Sequence, residues 1–181
     1  EHRRNEAVWR LLAGAATPTR GSRGNYWETA GVNDTYGGAL ESGLDNSPMY
    51  DDIPFDKEKH VMKLEDVGLT GLFLLDCRSL GEIARLLGKE ADAKELERRG
   101  ALTHQGLDRL WNEELGCYCN LRTDTGEFST RLSPTNFYAL YDPQVPPERA
   151  RRMADEHYYN PQEFYGEWMM PAIAGTTGYG T

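Results

Sequence analysis

The run Glu41-Ser42-Gly43-Leu44-Asp45-Asn46-Ser47-Pro48-Met49-Tyr50-Asp51-Asp52 holds the residues best suited to chemistry. Two carboxylates, Glu41 and Asp45, bracket Gly43, and the amide of Asn46 and hydroxyl of Ser47 stand beside them. Such a set suits proton transfer to an oxygen: one carboxyl donates, and its neighbours orient it or hold hydroxyls. Gly43 allows close backbone approach to a ligand or a sharp turn. Pro48 stiffens the chain. Met49 and Tyr50 can shield a carboxyl from water, and shielding moves a carboxyl toward the pKa a general acid needs at neutral pH. The same composition also suits a polar turn ahead of a helix, where Asp, Asn, Ser and Pro serve turn chemistry alone.

Other chemistry is poorly supported. Cys117 and Cys119 lie two apart in a strand-like segment and share one face. A zinc site wants at least two residues between paired cysteines and a second ligand pair, which the scattered His2, His60, His104 and His157 do not supply. Three free, reduced thiols are expected, consistent with a cytoplasmic setting. No calcium loop or cofactor fingerprint appears, so neither metal nor cofactor is expected. The formal net charge of -9 disfavours nucleic acid as a partner. No run approaches the ~18 apolar residues of a membrane span. No signal peptide is visible, although both ends look cut, so a leader could have been lost. The 4 Trp, 10 Tyr and 5 Phe suit either a sugar-binding cleft or a well-packed core.

The elements that must position the acidic run are mostly helices. Val8, Leu11 and Leu12 give helical spacing over about 6–14. An irregular segment from Gly24 to Pro54 follows, too apolar for disorder and of the length that is usually functional. A long helix is expected over Leu64 to Leu87; it is apolar almost all round at Leu69 to Leu75, as in a helix buried between others. A second amphipathic helix is expected over Glu90 to Glu114, with Leu96, Leu107, Leu110 and Trp111 inward. Cys117 to Thr130 alternates around Thr123-Asp124-Thr125-Gly126 and predicts a short β-hairpin. Ser133-Pro134 and Pro146-Pro147-Glu148 open two further helices, the latter running to about His157. The pattern is all-α, with helix pairs, long loops and one hairpin, and it excludes a parallel α/β sheet.

The acidic run resembles the signature of the glycoside hydrolase family 63 group, nearest to its mannosylglycerate-hydrolase-like and mannosyl-oligosaccharide-glucosidase-like members. The likeness continues in order through Val67-Gly-Leu-Thr-Gly-Leu-Phe-Leu-Leu-Asp76, Leu87-Gly88-Lys89, Leu110 to Glu113, Gly116 to Tyr118, Asp124-Thr-Gly126, Ser133 to Leu140, Asn160-Pro161-x-x-Phe164 and Pro171. It covers roughly residues 37 to 174. The resemblance implies an (α/α)6 barrel around a sugar-binding pocket and hydrolysis of α-glycosides with inversion. Asp45 matches the general acid. Glu41 and Gly43 match pocket-lining positions, Asn46 sits beside the acid, and Tyr50 is a further substrate-binding candidate.

The likeness runs out at the end. The family's later Tyr-Trp-Arg-Gly-x-x-Trp stretch, and the Glu-Asn-Tyr-Asn-like segment carrying the general base, have no counterpart before Thr181. Glu163 and Glu167 read as helix-end or surface carboxylates. Twelve helices and their connections need about 190 residues before any long loop, whereas five helical segments are legible here. The expectation is one domain, residues 1–181, forming part of a catalytic (α/α)6 toroid whose 175–181 tail does not match, inactive alone. The alternatives are a carbohydrate-binding remnant and a trehalase relative. Leu44 and Asn46-Ser47-Pro48 differ from the trehalase pattern of an aromatic before the acid and a Phe-Ser-Ser-like run after it.

Overall fold

The computed structural model describes residues 39, 42, 44, 47–59, 61–166 and 170–175. Six two-residue strands pair among them: β1 (Phe55–Asp56), β2 (Val61–Met62), β3 (Leu64–Glu65), β4 (Trp111–Asn112), β5 (Cys117–Tyr118) and β6 (Leu121–Arg122). The pairs are antiparallel, β1 with β2, β3 with β6 and β4 with β5. The helices are α1 (Val67–Leu86), α2 (Glu90–Asp108) and α3 (Pro147–Arg152). A 3-10 helix spans Pro134–Tyr141, and α3 continues as a wider π-helical turn over Met153–Tyr158. The chain divides into two compact units, one of residues 1–65 with 121–127, the other of residues 66–120 with 128–181.

In the first unit, Ala39, Met49, Tyr50, Ile53, Met62 and Leu64 form a buried apolar cluster, with Leu44 and Phe55 packed against it. β3 and β6 meet with Leu64 opposite Arg122 and Glu65 opposite Leu121. Thr123 N extends this pairing by donating to Lys63 O. After β6 the chain reverses at Gly126, whose φ of +73° is the left-handed conformation glycine adopts freely. Arg122 N donates to Glu127 O across that turn at 2.9 Å.

In the second unit, α1 and α2 form an antiparallel pair, and the 3-10 helix packs on α1. Asp66 caps α1: its Oδ1 accepts from Leu69 N at 2.8 Å. Asn120 Oδ1 takes the Val67 N–H at 2.8 Å. Phe73, Leu74, Cys77, Gly81 and Ala84 form the buried side of α1. The 3-10 helix is held at its start, where Asn136 Oδ1 accepts from Ser133 N and Asn136 Nδ2 donates to Tyr118 O.

Three sequence expectations change in detail. The first long helix begins at Val67, not Leu64, because Leu64 and Glu65 are taken into pairing with β6. The second ends at Asp108, because Trp111 and Asn112 turn back to pair with Tyr118 and Cys117. The hairpin strand β5 therefore has its main partner upstream. The Asp124-Thr125-Gly126 turn forms as expected, and Ser129 N still reaches Asn120 O at 2.7 Å.

Candidate functional site

Of the site residues read from the sequence, Asp45, Glu41, Gly43 and Asn46 lie outside the described residues. So do Tyr26, Trp27, Tyr36, His60, Glu167, Trp168 and the helix expected over 6–14. Their described neighbours show how the segment is held. Ser42 Oγ donates to Ala39 O at 2.7 Å and accepts from Leu44 N at 3.2 Å. Ser47 N donates to Leu44 O at 2.9 Å. Ser47 Oγ then caps a short 3-10 turn, Pro48–Tyr50, by accepting from Met49 N at 3.3 Å. Pro at the first position of that turn gives up an N–H that has no partner there anyway.

The backbone flanking the Asp45-Asn46 dipeptide is thus tied on both sides, by Leu44 on the apolar cluster and by the Ser47 cap. Met49 and Tyr50 follow at once and are 1% and 3% exposed. Met49 and Tyr50 belong to the buried apolar cluster of the first unit. Asp51 and Asp52 are exposed. Arg122 grips Asp124 bidentately at 3.0 and 2.7 Å, and this bond holds the Asp124 carboxyl below its ordinary range.

Other side chains prove to be framework. Trp111 lies on β4, edge-on to Tyr118 at 5.1 Å, with the Arg149 guanidinium 4.9 Å from its ring centroid. Arg78 donates to Tyr141 O at 3.3 Å. Glu163 is not a surface carboxylate: its side chain is 12% exposed and meets His157 Nδ1 at 2.6 Å. His157 Nε2 lies 2.7 Å from Leu115 O, so this imidazole ties the 160–164 stretch to the β4–β5 turn. The sequence reading takes Ser133 as a helix start and does not single out its buried polar companions Asp66, Asn120, Thr135 and Asn136. Their visible signals are an Asp just before an apolar helix and a Ser-Pro-x-Asn cap.

A cavity of about 240 Å³ lies between α1 and α2, floored by Leu74, Cys77 and Gly81. The charges on its rim are already committed. Arg85 pairs with Glu97, and Asp142 accepts from Gln144 N while meeting His104 Nδ1 at 2.6 Å. Among the described residues no group of three His, Cys, Asp or Glu could hold a metal. No described helix is long and apolar enough to cross a membrane.

The three cysteines are free, as expected, and all three are buried. Burial pushes the Cys77 thiol up to about 11. The hydrogen bond shared with Cys119, together with burial, raises Cys117 well above the ordinary thiol range. The thiolate is the reactive form, so little of it exists near neutrality. Maleimide at pH 7.5 is expected to label none of the three in the native chain and all three in denaturant. Rapid native labelling of Cys77 would contradict its burial.

The sequence matches the family described as the mannosylglycerate hydrolase MGH1-like glycoside hydrolase domain over residues 19–177. The chain belongs to this family. It is also 32% identical over 114 residues to the mannosylglycerate hydrolase of Rubrobacter radiotolerans; that match takes in 62% of this chain and 24% of the relative. Among solved structures, it is similar to a GH63 mannosylglycerate hydrolase from Thermus thermophilus in complex with glucose. That similarity has a TM-score of 0.64 and 23% identity, over 78% of this chain and 41% of the other. The neutral trehalase of Saccharomyces cerevisiae gives a TM-score of 0.62 at 15% identity, over 78% of this chain and 26% of the other. The chain therefore spans well under half the length of these relatives. Its fold is part of an (α/α)6 barrel, here with short β-pairs between the helices.

Proposed function

We propose that this domain carries the general acid of an inverting α-glycoside hydrolase. Its substrate class is α-mannosides or α-glucosides of glycerate, or small oligosaccharides. The observation that supports this reading is the family match over 159 consecutive positions, 19 through 177, with Glu41 to Asp52 inside it. The Asp45 carboxyl protonates the glycosidic oxygen as its bond to the anomeric carbon breaks. Water attacks the opposite face of the sugar and loses its proton to a second carboxylate. Inversion needs about 6.5–9.5 Å between the two carboxyl groups, which leaves room for that water. The second carboxylate comes from residues beyond Thr181. Glu41, Gly43 and Asn46 contact the sugar, whereas Tyr50, at 3% exposure, offers it little surface.

The test uses the polypeptide extended past Thr181, assayed on a panel of α-mannosides and α-glucosides. Proton NMR of the first-released sugar is expected to show the β-anomer. Release of the α-anomer would contradict inversion. The 181-residue chain alone is expected to show no turnover. Turnover by that chain, lost in Asp45→Asn, would place the base within it.

A further inference from the structure

His157 has an acceptor at each ring nitrogen. Nδ1 lies 2.6 Å from Glu163 Oε2, and Nε2 lies 2.7 Å from Leu115 O. A backbone carbonyl can only accept, and so can an ionised carboxylate. Both contacts are therefore hydrogen bonds only while the His157–Glu163 pair holds two protons. A neutral imidazole beside an ionised carboxylate holds one. It serves one oxygen and turns a lone pair on the other. Little water reaches the pair to replace the missing bond, because the two side chains are 6% and 12% exposed.

The two contacts join three pieces of the second unit. His157 stands on the π-helical turn, Leu115 in the β4–β5 turn and Glu163 in the 160–165 loop. That loop is folded on Asn160: Glu163 N and Tyr165 N both donate to Asn160 O at 3.0 Å, and Gln162 N donates to Asn160 Oδ1 at 2.9 Å. Phe164 anchors it, buried and edge-on to Phe137 at 5.3 Å. The groups around the imidazole come from each neighbouring piece. Arg152 and Glu156 share its helix, Glu113 stands on the β4–β5 turn, and Arg152 pairs with both of these carboxylates. Cys117 on β5 keeps its proton and adds no charge. One guanidinium thus stands against three carboxylates, counting Glu163, and such surroundings favour the second ring proton.

We propose that His157 and Glu163 form a proton-dependent clasp on the 160–165 loop. With two protons the clasp is closed at both ends. As pH rises, the second proton passes to solvent, one of the two bonds is lost, and the loop loosens from the β4–β5 turn. The sign follows from the proton count: closed on the acidic side of the His157 titration, loosened on the alkaline side. The inference concerns residues of this chain alone and stands whether or not Asp45 is the acid.

The test follows two signals in the 181-residue chain between pH 5 and 9. The ring 15N shifts of His157 report its protons. Hydrogen exchange at Glu163 N and Tyr165 N, corrected for the intrinsic pH dependence of exchange, reports the loop. Arg122 N, bonded to Glu127 O in the other unit, is the reference. The two loop amides are expected to exchange about 10-fold faster once His157 has lost its second proton, the worth of one hydrogen bond to a charged group, while the reference holds. Glu163→Gln keeps the shape and supplies an amide that donates to a neutral Nδ1 as readily as it accepts from a protonated one. In that variant the loop is expected to stay protected at every pH. Ring signals that do not move over this range overturn the proposal. So does a ring titration that leaves loop exchange unchanged, and so does the same step in Glu163→Gln.

Discussion

In the polypeptide extended past Thr181, Asp45→Asn is expected to lower kcat on an unactivated glycoside by roughly 100- to 10,000-fold, the usual worth of a positioned general acid. The amide keeps the shape but has no proton to give. The sharper signature lies in the leaving group. A dinitrophenyl or fluoride leaving group departs with little help from an acid, so its rate should fall by about 10-fold or less. A general base would show the opposite pattern, with equal losses on both substrates, because water still needs activation. Equal losses would therefore remove Asp45 from the acid's role. Thermal unfolding should change little, since the described residues that hold this segment are Ser42, Leu44 and Ser47.

How much of this was legible beforehand depended on how local each cause is. The α1–α2 pair was readable because its signals lie within a turn or two: apolar spacing, a Gly88 stop with φ +68°, and buried small residues on one side. The helix starts and ends were less readable because distant partners decide them. Nothing near Leu64 announces that residue 122 will claim it, and nothing at Leu110 announces the turn back to β5. The Gly126 turn was local and was read correctly. Its strand had another partner, because Gly116, at φ +65°, makes a competing turn that closes β4 onto β5 first.

The family was legible through an ordered likeness far more than through composition. Asp, Asn, Ser and Pro together specify a turn as readily as an acid. Met49 and Tyr50 look like shields in the sequence, and they are in fact core. The structure also reassigns Glu163, whose sequence context gave no hint of His157 beneath it. The six-residue separation of the pair fits no helical face, and the bond depends on the π-helical turn that ends at Tyr158.

Gly71→Ala and Gly81→Ala are expected to move stability in opposite directions, although both lie on the buried side of α1. Helix propensity alone favours alanine at each position by about 0.5–1 kcal/mol. At Gly81 the added methyl would sit 3.9 Å from Leu96 Cβ, an ordinary contact, so the propensity gain stands. A rise in Tm of about 1–4 °C follows. At Gly71 the methyl would lie 2.2 Å from Tyr138 O and 2.5 Å from its carbonyl carbon. These are backbone atoms of the 3-10 helix, whose start is fastened to Tyr118 O through Asn136. That helix has little freedom to retreat, so α1 and the 3-10 helix must separate. Overpacking of this kind costs about 2–4 kcal/mol, which exceeds the propensity gain. The net loss of about 1–3.5 kcal/mol gives an expected fall in Tm of about 2–14 °C. Circular dichroism melts of the two variants beside their parent measure both shifts. Equal behaviour of the pair would mean that α1 and the 3-10 helix do not approach this closely. Propensity would then govern both sites, and the packing that fixes the second unit would need another account.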